Sequence, residues 1–495
     1  MNRETPARRR NSREGVVVMS ESRQELWNLL EPHSQQHALR YWDALTTSQQ
    51  SELAEQIRGV DFNRLDALWR AEETTEDWND LAARAEAPPV IRMDGENAPC
   101  SEKEALLRGQ EALALGEVGA VLVAGGRGTR LGYDRPKGLF PIGPVSKASL
   151  FQTHLEKLRA TSRRYGRDIP LCVMTSSSTH DETQAFLNEA DFFGVSSEEL
   201  TLFRQGVMPV LDAESGNLLL EKPHRLLMSP DGHGGALFAL RREGLLDAMR
   251  SRGIRCVFYF QVDNPLTIVC DPRMIGFHLL TQSQITIKVA AKKTPWDNHG
   301  AAVNLDGKLR MIEYSELPET QADRKDERGQ PIFWAGNVGV HVFDLDFLDE
   351  CSASEQTVPF HRAHKTVQCL GESGLGESGS GDVGSGDDPE SRNAAQFERF
   401  IFDVFPLTKK TLLVEADRES EYAPLKNQEG ERSPEGVRAS IVRLHRRWLE
   451  NAGAAADQDA LVEFSPLFAL DEFEVKTKIR RGMTFRQSHY FLDSN

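Results

Sequence analysis

Residues Val121–Gly143 read VLVAGGRGTRLGYDRPKGLFPIG. The stretch opens with an apolar run of strand length and breaks into glycines, with Arg127, Arg130, Arg135 and Lys137 close behind. A glycine-rich turn after a strand lets backbone N–H groups approach phosphates or a flat base. Two familiar loops are excluded by spacing. The phosphate loop GxxxxGK[ST] needs Gly-Lys followed by Ser or Thr, which the stretch lacks. The dinucleotide pattern GxGxxG, begun at Gly126 and Gly128, meets Leu131 at its third glycine, with Gly132 one residue late.

Outward from this loop, apolar strand-like runs alternate with amphipathic stretches: LCVMT, CVFYFQV and ITIKVAA, with SLFQTHLEKLRATSRRYG between the glycine loop and LCVMT. In that helical stretch Ser149 is the expected N-cap, and Leu150, Phe151, Leu155 and Leu158 form one apolar face. Such alternation predicts an α/β fold with a mixed, mostly parallel sheet flanked by helices. Ligands of such sheets bind at the carboxyl ends of the strands, where the glycine loop would sit.

The partition expected is a disordered basic tail over 1–18, a helical N-terminal domain over 19–110, a catalytic domain over 111–436 and a small C-terminal α+β domain over 437–495. In the N-terminal part Leu26, Leu29 and Leu30, then Leu53 and Ile57, then Leu65 and Leu68 recur at helical spacing. Residues 371–392, GESGLGESGSGDVGSGDDPESR, are too poor in apolar groups to order themselves and read as a flexible insertion.

Net charge −16 disfavours nucleic acid as a partner. No apolar run approaches the roughly 18 residues of a membrane span, and the apolar part of the N-terminus, Val16–Met19, is too short for a signal peptide. The 6 cysteines form no CxxC pair and read as free thiols of a cytoplasmic protein.

AGGRGTRLG followed by Pro136-Lys137 resembles the signature of sugar-1-phosphate nucleotidyltransferases. Downstream stand FRQG (203–206), SPDGHGG (229–235), QVDNPL (261–266), EYSE (313–316), AGN (335–337), FDVF (402–405) and PLKN (424–427). In this order they resemble the UDP-sugar pyrophosphorylase family, most closely the eukaryotic-type UDP-N-acetylglucosamine pyrophosphorylases. The resemblance implies a Rossmann-like, GT-A-like nucleotidyltransferase fold and a reaction of UTP with a sugar-1-phosphate.

It also implies roles. Gly125, Gly126 and Gly232 would line the uridine pocket, with Gln205 reading the uracil edge. Arg130 and Lys137 would hold the triphosphate and the departing pyrophosphate, and Lys426 the sugar-linked phosphate. Asp263, at a strand's carboxyl end, would be the protein ligand of Mg²⁺, with Asp403 a second acidic candidate. Gly300, Glu313 and Asn337 would meet the sugar, and Phe400 and Phe402, two apart in an expected strand, would shape the acetyl pocket.

His233 departs from the pattern. The N-acetylglucosamine enzymes usually carry Asn there, whereas the UDP-glucose and broad-specificity relatives carry the GHG seen here; Gly235 leans back toward the N-acetylglucosamine group. N-acetylglucosamine-1-phosphate is the expected sugar substrate. A hexose-1-phosphate, and a non-catalytic nucleotide-sugar binder, stay open.

Overall fold

The computed structural model describes residues 23–71, 77–297, 299–370 and 392–492. The expected disordered tail and residues 371–391 of the expected insertion lie outside these. Two compact units emerge: Met1–Glu72 with Pro209–Ser229 and His364–Gln396, and Glu73–Met208 with Pro230–Ala363 and Phe397–Asn495.

In the first unit, helices Arg23–Leu30, Thr47–Arg58 and Phe62–Arg70 bury Leu26, Leu30, Leu53, Ile57 and Leu65, while Leu29 stays exposed. Thr46 and Gln49 close a capping box that satisfies free N–H groups at a helix start. The 209–229 excursion is stitched to these helices: the Gln35 amide bonds Gly216 O and Leu218 N, and Arg225 pairs with Glu52 at 2.6 Å.

The second unit is built on a ten-stranded sheet. Its strands are β1 (Val90–Ile91), β2 (Val118–Val123), β3 (Leu171–Thr175), β4 (Leu200–Arg204), β5 (Cys256–Gln261), β6 (Ile285–Ala291), β7 (Ala301–Leu305), β8 (Lys308–Ile312), β9 (Ala335–Asp344) and β10 (Thr411–Glu415). The main path runs β1-β10-β6-β9-β5-β2-β3-β4, and β7 joins β8 to β9. Along it only β9 is antiparallel to its neighbours. The mixed, mostly parallel α/β sheet expected from the sequence is what forms.

Burial on both faces explains why β2 and β5 are continuous apolar runs. Ala120, Leu122, Phe258 and Phe260 face one cluster, with Phe151 and Leu155 of helix Leu150–Tyr165; Val121, Val257 and Tyr259 face another, with Leu237, Phe343 and Phe405. Alternation along a strand sorts them this way. Ser149 does cap its helix, accepting from Gln152 N at 3.0 Å.

The sheet-bearing unit starts earlier than the partition at residue 110 expected. Val90–Ile91 pairs in parallel with β10, so that stretch is part of the sheet. The C-terminal stretch has its own cluster, around Val462, Phe464, Val475 and Phe491. It is nonetheless joined to the same unit, since buried Glu463 accepts from Val145 N, Ser146 N and Ser146 Oγ at 2.6–2.8 Å.

Strand order reverses beside β2: β3 and β4 follow on one side, β5 on the other. This is the switch point at which open α/β sheets bind ligands. Val123 is in register with Gln261, so the glycine loop and the segment after β5 leave the sheet side by side.

Candidate active site

The glycine loop doubles back on itself. Arg127–Gly128 pairs with Tyr133–Pro136, and Lys137 N donates to Gly126 O at 3.0 Å. Arg127 is spent on this fold, bonding Asp134 Oδ1 and Asp134 O, both at 2.8 Å, and Ser178 O at 3.1 Å. Arg130, on the single turn Thr129–Leu131, is exposed and has no ion-pair partner among the described residues.

Asp263 is the centre of charge. Its Oδ2 lies 3.0 Å from Lys426 Nζ and 3.7 Å from Lys137 Nζ. Burial alone would raise the pKa of this carboxyl; the two ammonium groups more than reverse that, so it is held below the usual range and stays ionised. Lys426 is correspondingly shifted up by Asp263. Lys137 is shifted down, because burial together with repulsion from Lys426 and Arg130 outweighs the more distant carboxylate.

Backbone stitching brings Lys426 here across 163 residues of chain. Leu425 N donates to Asp263 O at 2.8 Å; Asn264 accepts from Ala423 N at 3.0 Å and donates to Glu421 O at 2.7 Å. Beneath the loop, His154 Nε2 meets Val262 O at 3.0 Å, and the half-buried Lys157 donates to Pro265 O and Thr267 O at 2.6 and 2.9 Å. Three loop carbonyls thereby gain hydrogen-bond partners.

On the other side of the loop Gln205 follows β4. A Cβ on Gly125 would stand 2.3 Å from Gln205 Oε1, so only glycine admits this amide; Gly126 has open space instead. Gly232 is required twice over, with φ +83° and a would-be Cβ 2.3 Å from Arg399 O. Arg399 itself is buried between the rings of Phe238 and Phe360, at 4.2 and 4.0 Å, and its Nη2 donates to Glu355 O. It clamps the PDGHGG loop by accepting from Gly234 N and donating to Asp231 O. Ile401 N donates to His233 Nδ1 at 3.1 Å, which assigns the ring proton to Nε2. Burial and the nearby Lys426 push His233 down to about 4, so it is neutral.

Phe400 and Phe402 stack on each other with centroids 5.0 Å apart and flank His233 at 5.6 and 5.7 Å. They share a face as expected, but on the 3₁₀ segment Ile401–Leu407 and its first flank, not in a strand. Asp403 turns toward this segment, accepting from Phe400 N at 3.3 Å and lying 2.8 Å from His361 Nε2. Gly300, Glu313 and Asn337 converge: Asn337 N donates to Gly300 O at 2.9 Å, and Glu313 Oε1 lies where a Gly300 side chain would begin. Burial, with Glu316 beside it, pushes Glu313 up to about 7 against the pull of Lys292 and Lys426.

The sequence had not singled out Arg399, Asn264, His154, Lys157 or Lys292. All but Asn264, which stands inside QVDNPL, lie outside the recognised motifs, and a lone Arg, His or Lys at an apolar-run boundary carries no pattern. Among the described residues no helix is long and apolar enough to cross a membrane.

Residues 92–378 match the family described as UTP–glucose-1-phosphate uridylyltransferase. The chain is 34% identical over 400 residues to a UDP-N-acetylglucosamine pyrophosphorylase of Saccharomyces cerevisiae, covering 78% of this chain and 82% of that one. It is 32% identical over 487 residues to UDP-N-acetylglucosamine diphosphorylase 2 of Arabidopsis thaliana, covering 93% and 92%. The fold matches the crystal structure of a Trypanosoma brucei UDP-N-acetylglucosamine pyrophosphorylase with TM-score 0.77 at 24% identity, over 95% of this chain and 99% of that one. With a family match over more than half of its length and relatives above 30% identity spanning most of both sequences, this chain belongs to the UTP–glucose-1-phosphate uridylyltransferase family.

Proposed function

We propose that this chain is a uridylyltransferase that makes UDP-N-acetylglucosamine and pyrophosphate from UTP and N-acetylglucosamine-1-phosphate, reversibly and with Mg²⁺. The observation that carries the reading is the Lys137–Asp263–Lys426 cluster at the switch point between β2 and β5. The names of the curated relatives support the same substrate.

In this reaction a phosphate oxygen of the sugar-1-phosphate forms a bond to the α-phosphorus of UTP. The bond from that phosphorus to the bridging oxygen breaks, and pyrophosphate leaves with the electron pair. The transition state spreads negative charge over phosphate oxygens, so positioned cations do most of the work. Lys137 and Arg130 hold the triphosphate and stabilise the leaving group; Lys426 holds the sugar phosphate. Gln205 orients uracil over Gly125, whose missing side chain leaves room. Gly300, Glu313 and Asn337 orient the sugar.

Asp263 offers one ionised carboxylate, and no cluster of three or more metal-binding side chains exists among the described residues. That donor set fits Mg²⁺, which takes one or two carboxylates and completes its shell from phosphates and water. Bound by Asp263, the ion would neutralise charge developing on the phosphates. A cytoplasmic setting accords with all six cysteines being free thiols.

His233 favours a second reading in the same chemistry, a UTP:hexose-1-phosphate enzyme acting on glucose or galactose. Pyrophosphate release with UTP, Mg²⁺ and a panel of four phosphates, of N-acetylglucosamine, N-acetylgalactosamine, glucose and galactose, decides between them. Release with acetamido sugars supports the first reading, release mainly with hexoses the second. Silence with every sugar would leave a non-catalytic nucleotide-sugar binder.

A further inference from the structure

Lys288 is the one charged residue of β6, ITIKVAA, in a sheet covered on both faces. Its side chain is 4% exposed, where a lone ammonium would be costly. It is paired twice instead: Nζ donates to Asp271 Oδ2 at 2.7 Å and to Glu421 Oε2. These two carboxylates are only 10% and 12% exposed, so solvent does little to screen the three charges. Burial alone would lower the pKa of the ammonium; the carboxylates more than reverse that and hold it above its ordinary value.

The two acids belong to the two arms of the candidate active site. Asp271 stands eight residues beyond Asp263, at the far end of the segment that leaves β5. There its Oδ1 accepts from Arg273 N at 2.9 Å and caps helix Pro272–Thr281. Glu421 stands five residues before Lys426, on the segment that leaves β10, and its Oε1 accepts from Asp417 N at 3.3 Å. Lys288 is in register with Val414 of β10 and reaches both.

Further along, the arms touch through Asn264, which bonds Glu421 O and Ala423 N, and through Asp263 O, which accepts from Leu425 N. Lys288 ties them together at their base. Without its charge, two carboxylates drawn to one point would face each other in a buried place, and their repulsion would drive the arms apart.

We infer that Lys288 is a positioning residue: by holding Asp271 and Glu421 to one ammonium it fixes the placement of Lys426 against Asp263. The inference rests on the uridylyltransferase reading above, because it assigns Lys288 an effect on the reaction through Lys426 and not through contact with substrate.

The test uses wild type, Lys288→Met and Glu421→Gln, each with and without Lys426→Ala, in initial-rate measurements that vary UTP and each accepted sugar-1-phosphate in turn. Circular dichroism melting fixes a temperature at which every variant is folded. There Lys288→Met, with a side chain of similar length and no charge, should lower kcat by about ten- to hundredfold, the cost of a small misplacement of a catalytic group. KM for UTP should stay within about twofold, since the glycine loop and Gln205 are not attached to these three side chains. With Lys426→Ala already present, Lys288→Met should lower kcat by less than about twofold, because the group it positions is gone. A merely structural role would lower the melting temperature and leave kcat of the folded enzyme alone, which overturns the inference. So does the same proportional loss of kcat with and without Lys426, which would mean that Lys288 acts independently of it. If Lys288→Met does not fold, Glu421→Gln decides: it keeps the Asp271 pair and weakens only the hold on the Lys426 arm, so kcat should fall several-fold, and an unchanged kcat counts against the inference. If Lys426→Ala is too slow to measure, the kcat of folded Lys288→Met and its KM for UTP decide alone. Wild type silent on every sugar-1-phosphate defeats the parent reading and this inference with it; an active wild type with an unimpaired Lys288→Met defeats this inference alone.

Discussion

Lys426 Nζ lies 3.0 Å from Asp263 Oδ2, and the same oxygen is 3.7 Å from Lys137 Nζ. One carboxylate thus stands between the two cations that the proposed reaction needs at opposite ends, the entering sugar phosphate and the departing pyrophosphate. Lys137→Ala leaves the closer pair whole and removes only the leaving-group cation. Turnover should fall at least about a hundredfold, while calorimetry still detects UDP-N-acetylglucosamine binding. Undiminished kcat in this variant would remove Lys137 from the chemistry.

Gly125 and Gly126 stand next to each other and make opposite predictions. A methyl on Gly125 meets Gln205 Oε1 at 2.3 Å and must displace the amide before any ligand arrives. A methyl on Gly126 meets nothing within 4 Å. Gly125→Ala should therefore lower the melting temperature and raise KM for UTP together. Gly126→Ala should melt like wild type and raise KM for UTP only, because its clash is with the nucleotide. A Gly126→Ala enzyme with wild-type KM for UTP would take Gly126 out of the uridine pocket.

Much of this arrangement was legible in sequence because it is local. Strand-length apolar runs, the Ser149 cap and the glycine loop are each set within a few residues, and β2 and β5 carry their loops to one edge once the order is parallel. The unit boundary was not legible: β1 is two residues long, and its membership of the sheet depends on pairing with β10 far along the chain. Arg399 illustrates the same limit in the site. Nothing around FERFIF marks an arginine that will be buried between Phe238 and Phe360, since its ring partners and the Gly232 backbone it supports come from distant segments. Phe400 and Phe402 were placed on one face for the wrong local geometry, a strand, because apolar spacing over three residues does not separate a strand from a 3₁₀ turn.

Glu313 should make stability and sugar binding depend on pH. Burial raises its carboxyl from the ordinary 4.5 to about 7. Across that window the folded protein keeps a proton that the unfolded chain has released, so stability falls as pH rises from the lower value to the higher. Glu313→Gln cannot ionise and escapes the loss. The difference in melting temperature, variant minus wild type, should therefore grow between about pH 5 and about pH 8. Scanning calorimetry at several pH values measures it; a constant difference would show that the ionised carboxylate is well accommodated.

His233 is held by Ile401 N at its Nδ1 and packed against Phe400 and Phe402. An Asn side chain has a carbonyl oxygen able to accept the same N–H and occupies less space beside the two rings. The His233→Asn variant should thus keep the PDGHGG loop anchored to the 399–401 segment while opening room for an acetamido methyl. A methyl-sized change in such a pocket shifts selectivity by about ten- to a few hundredfold. The expected outcome is a rise of that order in the ratio of kcat/KM for N-acetylglucosamine-1-phosphate to that for glucose-1-phosphate. His233→Ala, which loses the acceptor, should lower activity with both sugars because the loop is no longer tied. Equal ratios in wild type and His233→Asn would mean that this position supports the loop without reading the sugar, and selectivity would then rest with Glu313, Asn337 and the Phe400–Phe402 stack.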